Sequence, residues 1–202
     1  MHGDDFFELR RLELLSSVAY AAQDPFHAVI GCGRGAELLA IALGVRRQHP
    51  LRSGSKRGSV VCFHRSRHGD IGMAKDLLRA RDRVVRRAHR RKVRPIPPEL
   101  VVRFVEADEG RDSWECEVAA LLRGGPERFG LVVHLGVGDK ASIRKDLDIM
   151  LPMMSDRTEV ILCGMDKRAP QIVFQRLVRQ EAWSGIWRSG IAVAELRRLP
   201  IA

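Results

Sequence analysis

A chain of 202 residues with 45% hydrophobic and 30% charged residues carries enough apolar material for one core, which excludes both a membrane bundle and a disordered chain. Its formal charge of +10, mostly arginine, favours RNA, DNA, an anionic surface or an acidic protein as partner, although a codon preference for Arg over Lys gives the same number. No apolar run approaches bilayer length, and the acidic start Met1-His2-Gly3-Asp4-Asp5 has no signal-peptide core behind it, so a cytoplasmic protein with no membrane partner is expected.

Phe6 to Ala22 reads as a helix, with Phe7, Leu14 and Val18 along one side and Asp24-Pro25 ending it. Phe26 to Ile30 is the first predicted strand. It runs into Gly31-Cys32-Gly33-Arg34-Gly35 and then a helical pattern expected to stop at Gly44. Glycines at this spacing let the chain turn tightly and let a ligand approach the backbone, while the amides and positive dipole end of the next helix face it. An ordinary glycine-rich turn is the plainer reading of the motif alone. Gln48 to Gly58 is polar and glycine-rich and reads as a locally disordered loop.

Ser59 to His64 is the second strand and Gly72 to Lys92 the next helix. Its apolar stripe includes Ala74, Leu78 and Val85, and the rest is dense in arginine. Pro95, Pro97 and Pro98 then force an extended connection. Leu100 to Val105 is the third strand, Trp114 to Leu122 a helix closed by Gly124-Gly125, and Phe129 to Leu135 an almost wholly apolar strand expected at the centre of the sheet. The helix after it places Ile143, Leu147, Met150, Leu151 and Met154 on one face. Glu159 to Cys163 is the fifth strand, Pro170 opens another helix, and Ile186 to Leu196 reads as one or two terminal strands. The pattern predicts an α/β fold, doubly wound around a mainly parallel sheet, with its ligand at the carboxyl ends of the strands. Residues 1–202 read as one domain, with 1–24 an added N-terminal helix and 26–202 the α/β core. Cys32, Cys62, Cys116 and Cys163 show no paired ligand spacing and read as buried thiols, with no metal site.

In this order the elements resemble the class I S-adenosylmethionine-dependent methyltransferases, over roughly Phe26 to Leu196. Ile30 to Gly35 is similar to the family's cofactor loop, Val133 to Gly136 with Lys145-Asp146-Leu147 to its fourth-strand segment, and Val160 to Asp166 to its fifth strand and exit. The resemblance implies a Rossmann-like fold with a C-terminal antiparallel strand. It also implies S-adenosylmethionine as cofactor, S-adenosylhomocysteine as product, and contacts from Gly31, Cys32, Gly33, Gly35, His64, Arg65, Asp108 and His134. Departures fall at polar positions. The acid that accepts the ribose hydroxyls at the end of the second strand is replaced by His64 and Arg65. Leu135 and Gly138 stand at the fourth-strand exit, and Gly164 at the fifth. Asp108, Asp139 and Asp166 remain nearby out of register, which argues against metal-dependent transfer.

Plainer readings stand beside these. Asp108 is equally a solvated loop acid, and His64, His68 and Asp70 read better as a turn than as a metal cluster. His134, inside an apolar strand, reads better as a hydrogen-bonded core histidine than as a base. Trp183 and Trp187 read as packing or interface residues. Arg79, Arg83, Arg86, Arg87, Arg90 and Arg91 form either a solvated helix face or a phosphate-binding surface for RNA or an acidic partner. Two functions lead: methyl transfer to an unidentified acceptor, or a catalytically inactive scaffold of the same fold that binds RNA or an acidic protein. A third is a dinucleotide-type enzyme in which His64 and Arg65 suit a 2′-phosphate, which the rest of the chain fits less well.

Overall fold

The computed structural model describes residues 3–22, 24, 26–31, 35–48, 59–65, 71–90, 101–107, 113–124, 128–180 and 182–199. The helices are α1 (Gly3–Ala21), α2 (Ala36–Gln48), α3 (Ile71–Arg90), α4 (Ser113–Gly124), α5 (Lys140–Met150) and α6 (Arg168–Arg179). The strands are β1 (Phe26–Ile30), β2 (Ser59–Arg65), β3 (Val101–Ala107), β4 (Phe129–His134), β5 (Met154–Cys163), β6 (Trp183–Arg188) and β7 (Val193–Arg198). They form a seven-stranded sheet in the order β3-β2-β1-β4-β5-β7-β6. β1 to β5 are parallel, whereas β7 runs antiparallel to both β5 and β6. The order reverses between β1 and β4, which puts the switch point of the sheet at the end of the first strand.

Burial on both faces explains why the central strands lack polar alternation. Every residue of β1 and β4 is buried. One face carries Ala28, Ile30, Phe63, Val132 and Leu162 against α4, α5 and α6, with Trp114, Ile143 and Leu177 descending from the helices. The other carries Val29, Cys62, Leu131, Val133 and Ile161 against α1, α2 and α3, where Leu15, Ile41 and Ala74 close the layer.

Several expectations need correction. α2 does not stop at Gly44 but continues to Gln48. The glycine is there because α1 crosses at that point: a Cβ on Gly44 would overlap the Ser16 carbonyl oxygen and stand 2.8 Å from the Ala19 Cβ. Met154 does not belong to α5. Pro152 sits in a 3-10 turn, Leu151–Met153, and Met154 opens β5. Cys62 and Cys163 are buried as expected, but Cys116 is exposed on α4. Trp183 packs into the core, whereas Trp187 is 42% exposed on the edge strand β6. The predicted disordered loop falls, beyond Gln48, outside the described residues. No helix among the described residues is long and apolar enough to cross a membrane.

Candidate functional site

β1 leads into the switch point through Gly31. Its N–H donates to the Phe63 carbonyl (2.8 Å), and its own carbonyl accepts from the Cys62 thiol (3.5 Å). Gly31 and Gly35 have φ of +91° and +84°, backbone that L side chains rarely adopt. At Gly35 the constraint is doubled, because a Cβ there would lie 2.7 Å from the Ala74 Cα of α3. Gly35 accepts the first helical bond of α2 from Leu39 N–H, which leaves the amides of Ala36, Glu37 and Leu38 without intrahelical acceptors. The Glu37 carboxylate in that first turn is held away by Arg11 of α1 at 3.0 Å, so its charge is matched by a guanidinium. Cys32, Gly33 and Arg34 lie outside the described residues.

The opposite wall is the β4–α5 connection. Leu135 N–H bonds the Ile30 carbonyl at 3.0 Å, so β4 and β1 leave the sheet side by side, and the Leu135 Cβ is 3.5 Å from where a Gly31 Cβ would be. His134 is 1% exposed and fixes the turn that follows. Its Nδ1 accepts the Gly136 N–H at 2.9 Å, which puts the ring hydrogen on Nε2, facing Asp146 Oδ2 of α5 at 3.3 Å. Both ring nitrogens are thus engaged, and the core-histidine reading is the one the geometry supports. Asp139 caps α5 by accepting the Ser142 N–H at 2.8 Å, and that hydrogen bond holds its carboxyl below the usual carboxylate range. β5 leaves next to this turn, and a Cβ on Gly136 would overlap the Cys163 carbonyl oxygen. Burial pushes the Cys163 thiol up to about 12, so it stays protonated. Asp166 is exposed just beyond.

The side chains that the resemblance would place on the cofactor are only partly brought together. Gly31, Gly35 and the end of β4 do converge. His64 is at the end of β2 but 2% exposed, on the face of the strand that carries Val60 and Cys62. A hydroxyl would reach it only if its neighbours moved. Arg65 ends β2, and its side chain, like Asp108, lies outside the described residues. Among the described residues no group of three or more His, Cys, Asp or Glu is placed to hold a metal ion. On α3, Arg79 and Arg83 are exposed, but Asp76 lies 3.2 Å from Arg79 and Asp82 shares the same surface, so this part of the face is mixed in charge. The side chains of Arg86, Arg87 and Arg90, and all of Arg91, lie outside the described residues.

Sequence reading named Asp146 within the Lys145-Asp146-Leu147 match but missed its role as the partner of His134, although that signal is present. Ile143, Asp146, Leu147 and Met150 share one buried face of α5, and an acid on such a face needs a partner.

No protein-family model and no curated protein sequence matches the chain. Solved structures do. An O-methyltransferase of tomaymycin synthesis from Streptomyces achromogenes, in complex with S-adenosylmethionine, superposes with a TM-score of 0.55 at 14% identity over 95% of this chain and 80% of its own. An O-methyltransferase from Bacillus cereus, in complex with S-adenosylhomocysteine, gives 0.58 at 14% identity over 94% and 81%. A TDP-rhamnose 3'-O-methyltransferase of calicheamicin biosynthesis gives 0.64 at 13% identity over 95% and 78%. The likeness covers 94–95% of this chain, and what it shows is the fold: a mainly parallel, seven-stranded sheet with an antiparallel end, similar to that of these methyltransferases.

Proposed function

We propose that the chain binds S-adenosylmethionine at the Gly31 to Gly35 turn and transfers its methyl group to an acceptor oxygen. The observation that carries the reading is the position of that turn. Its two ends are Gly31, where β1 leaves the sheet at the switch point, and Gly35, where α2 begins, both in left-handed glycine backbone. The sulfonium supplies an electrophilic methyl group and a neutral thioether as leaving group. The protein's part is mainly positioning, since a transfer of this kind gains most from holding the acceptor in line. Gly31 and the α2 amides would hold the ligand, Leu135 would wall it from the β4 side, and the His134–Asp146 pair would keep the Gly136 turn in place. Asp139 is committed to capping α5, so it is a poor base for an acceptor hydroxyl. An acceptor that ionises readily suits this site best.

The inactive scaffold is the second reading, favoured by the burial of His64, the apolar Leu135 at the fourth-strand exit and the glycine at Gly164. Calorimetric titration with S-adenosylmethionine separates the two. A micromolar dissociation constant, abolished in Gly33→Val while the melting temperature holds, supports the enzyme reading. No heat at millimolar ligand refutes it and leaves the scaffold.

A further inference from the structure

Outside the switch point, a concavity with a distinct chemistry lies on the solvent side of the helix layer, between α4 and α5. It is a groove of about 740 Å³, and a second hollow of about 350 Å³ continues it between α5 and α6. The two share Lys140, Arg144 and Arg176. α5 makes this surface with the face it does not bury. Ile143, Asp146, Leu147 and Met150 point into the core, whereas Ala141, Arg144, Lys145, Asp148 and Ile149 line the groove.

The floor is apolar, formed by Val118, Ala119 and Leu122 of α4 with Ile149 and Pro152 from the other side. The rim is cationic: Lys140, Arg144, Lys145, Arg176 and Arg179 stand against the carboxylates of Glu115 and Asp148. Those two are already used, Asp148 by Arg144 at 3.0 Å and Glu115 by Lys145 at 3.6 Å. Arg176 and Arg179 on α6 have no carboxylate partner among the described residues. An apolar trough with surplus positive charge along one bank is complementary to a helix with one apolar face and acidic flanks. α5 is 11 residues long, so the trough extends about 16 Å, enough for three turns of a docked helix.

We propose that the α4–α5 groove binds an acidic amphipathic helix of a partner protein. RNA fits the same charge less well, because the floor offers no aromatic side chain on which a base can stack. The inference does not depend on cofactor binding, since the groove lies across the helix layer from the sheet.

The probe is a fluorescein-labelled synthetic peptide of about four helical turns, with leucine at i, i+3, i+4 and i+7 and glutamate on the flanking positions. Fluorescence anisotropy on the full chain should give a micromolar dissociation constant. Affinity should fall at least about tenfold in Arg176→Glu/Arg179→Glu, which reverses exposed charges, and in Ala119→Trp, which fills the trough. Unchanged melting temperatures of both variants show that the fold is intact. A composition-matched peptide with scrambled spacing should bind at least tenfold more weakly. The proposal is overturned if the patterned peptide shows no binding at about 1 mM, or if the scrambled peptide binds equally well. It is also overturned if both variants keep wild-type affinity, or if single-stranded RNA or a second copy of the chain occupies the groove in preference to the peptide.

Discussion

His27 is a polar side chain in the wrong place for a polar side chain. It sits in β1 between Val60 and Leu131, fully buried, and among the described residues neither ring nitrogen makes a well-aligned hydrogen bond. Burial lowers its pKa from 6.5 to about 4, because the imidazolium would lose its hydration and the Phe26 backbone offsets that only in part. In the unfolded chain the ring protonates near pH 6.5, while in the folded chain it stays neutral down to about 4. The unfolded state therefore binds more protons across that window, and stability falls as pH drops through it. Between pH 7 and pH 4.5 the loss from this residue is about 2 kcal/mol. Urea unfolding of wild type and His27→Leu at the two pH values checks it: the variant should lose less than wild type by about that amount, and equal losses would place the acid sensitivity in other groups. His134 makes the contrast. It is just as buried, yet it meets Gly136 and Asp146, and its surroundings were legible: an apolar strand around it and, 12 residues on, an acid on the buried stripe of a helix. Nothing within the two strands themselves separates the satisfied histidine from the orphan, because the difference lies in which helix crosses above each strand.

At the scale of elements, the strands were the legible part. β1, β2 and β4 were read within a residue of their observed ends, because a strand buried on both faces is written as a continuous apolar run bounded by turn residues. Helix ends were less so. Gly44 looks like a stop signal and is a packing site, a distinction fixed by α1 rather than by anything adjacent in sequence. Two effects compete when that glycine is replaced. Ala is a better helix former than Gly by about 1 kcal/mol, which favours Gly44→Ala. Against it, the new methyl would overlap backbone at Ser16, an atom that cannot rotate aside, and forced separation of packed elements costs typically 1–3 kcal/mol. The overlap should win, so Gly44→Ala lowers stability by about 1 kcal/mol or more, and Gly44→Val by more still. Thermal denaturation decides it: a raised melting temperature for Gly44→Ala would mean that α1 yields and that its contact with α2 is soft. The candidate site was legible as backbone and opaque as side chains. Gly31 and Gly35 announce themselves, since few other residues tolerate that backbone. Whether His64 opens onto the cleft or lies beneath it depends on which face of β2 its register selects.

The molecule as a whole carries +10, and its charge is unevenly matched. Some of it is neutralised locally: Arg11 by Glu37, Arg103 by Glu117, and Arg188 and Arg197 by Glu195 and Glu159 on the β5–β7–β6 edge. The exposed ones among these pairs contribute little to stability but remove cations from the long-range field. On α3, Asp76 pairs with Arg79 and Asp82 lies on the same surface, whereas Arg86, Arg87, Arg90 and Arg91 follow with no acid among them in the sequence. If the chain meets a polyanion, that run of arginines is the place where counterions would be released. Each phosphate neutralised adds about 0.7 to the slope of log affinity against log salt for a single strand. Replacing the four arginines with Gln should therefore flatten the slope for single-stranded RNA by two to three, whereas Arg79→Gln/Arg83→Gln, already screened by Asp76 and Asp82, should change it by less than one. Anisotropy across a salt series reads both. A slope identical to wild type in the fourfold variant would assign RNA contact to another surface. A larger effect from Arg79 and Arg83 than from the other four would show that local acids do not shield an arginine from phosphate as the Coulomb argument requires.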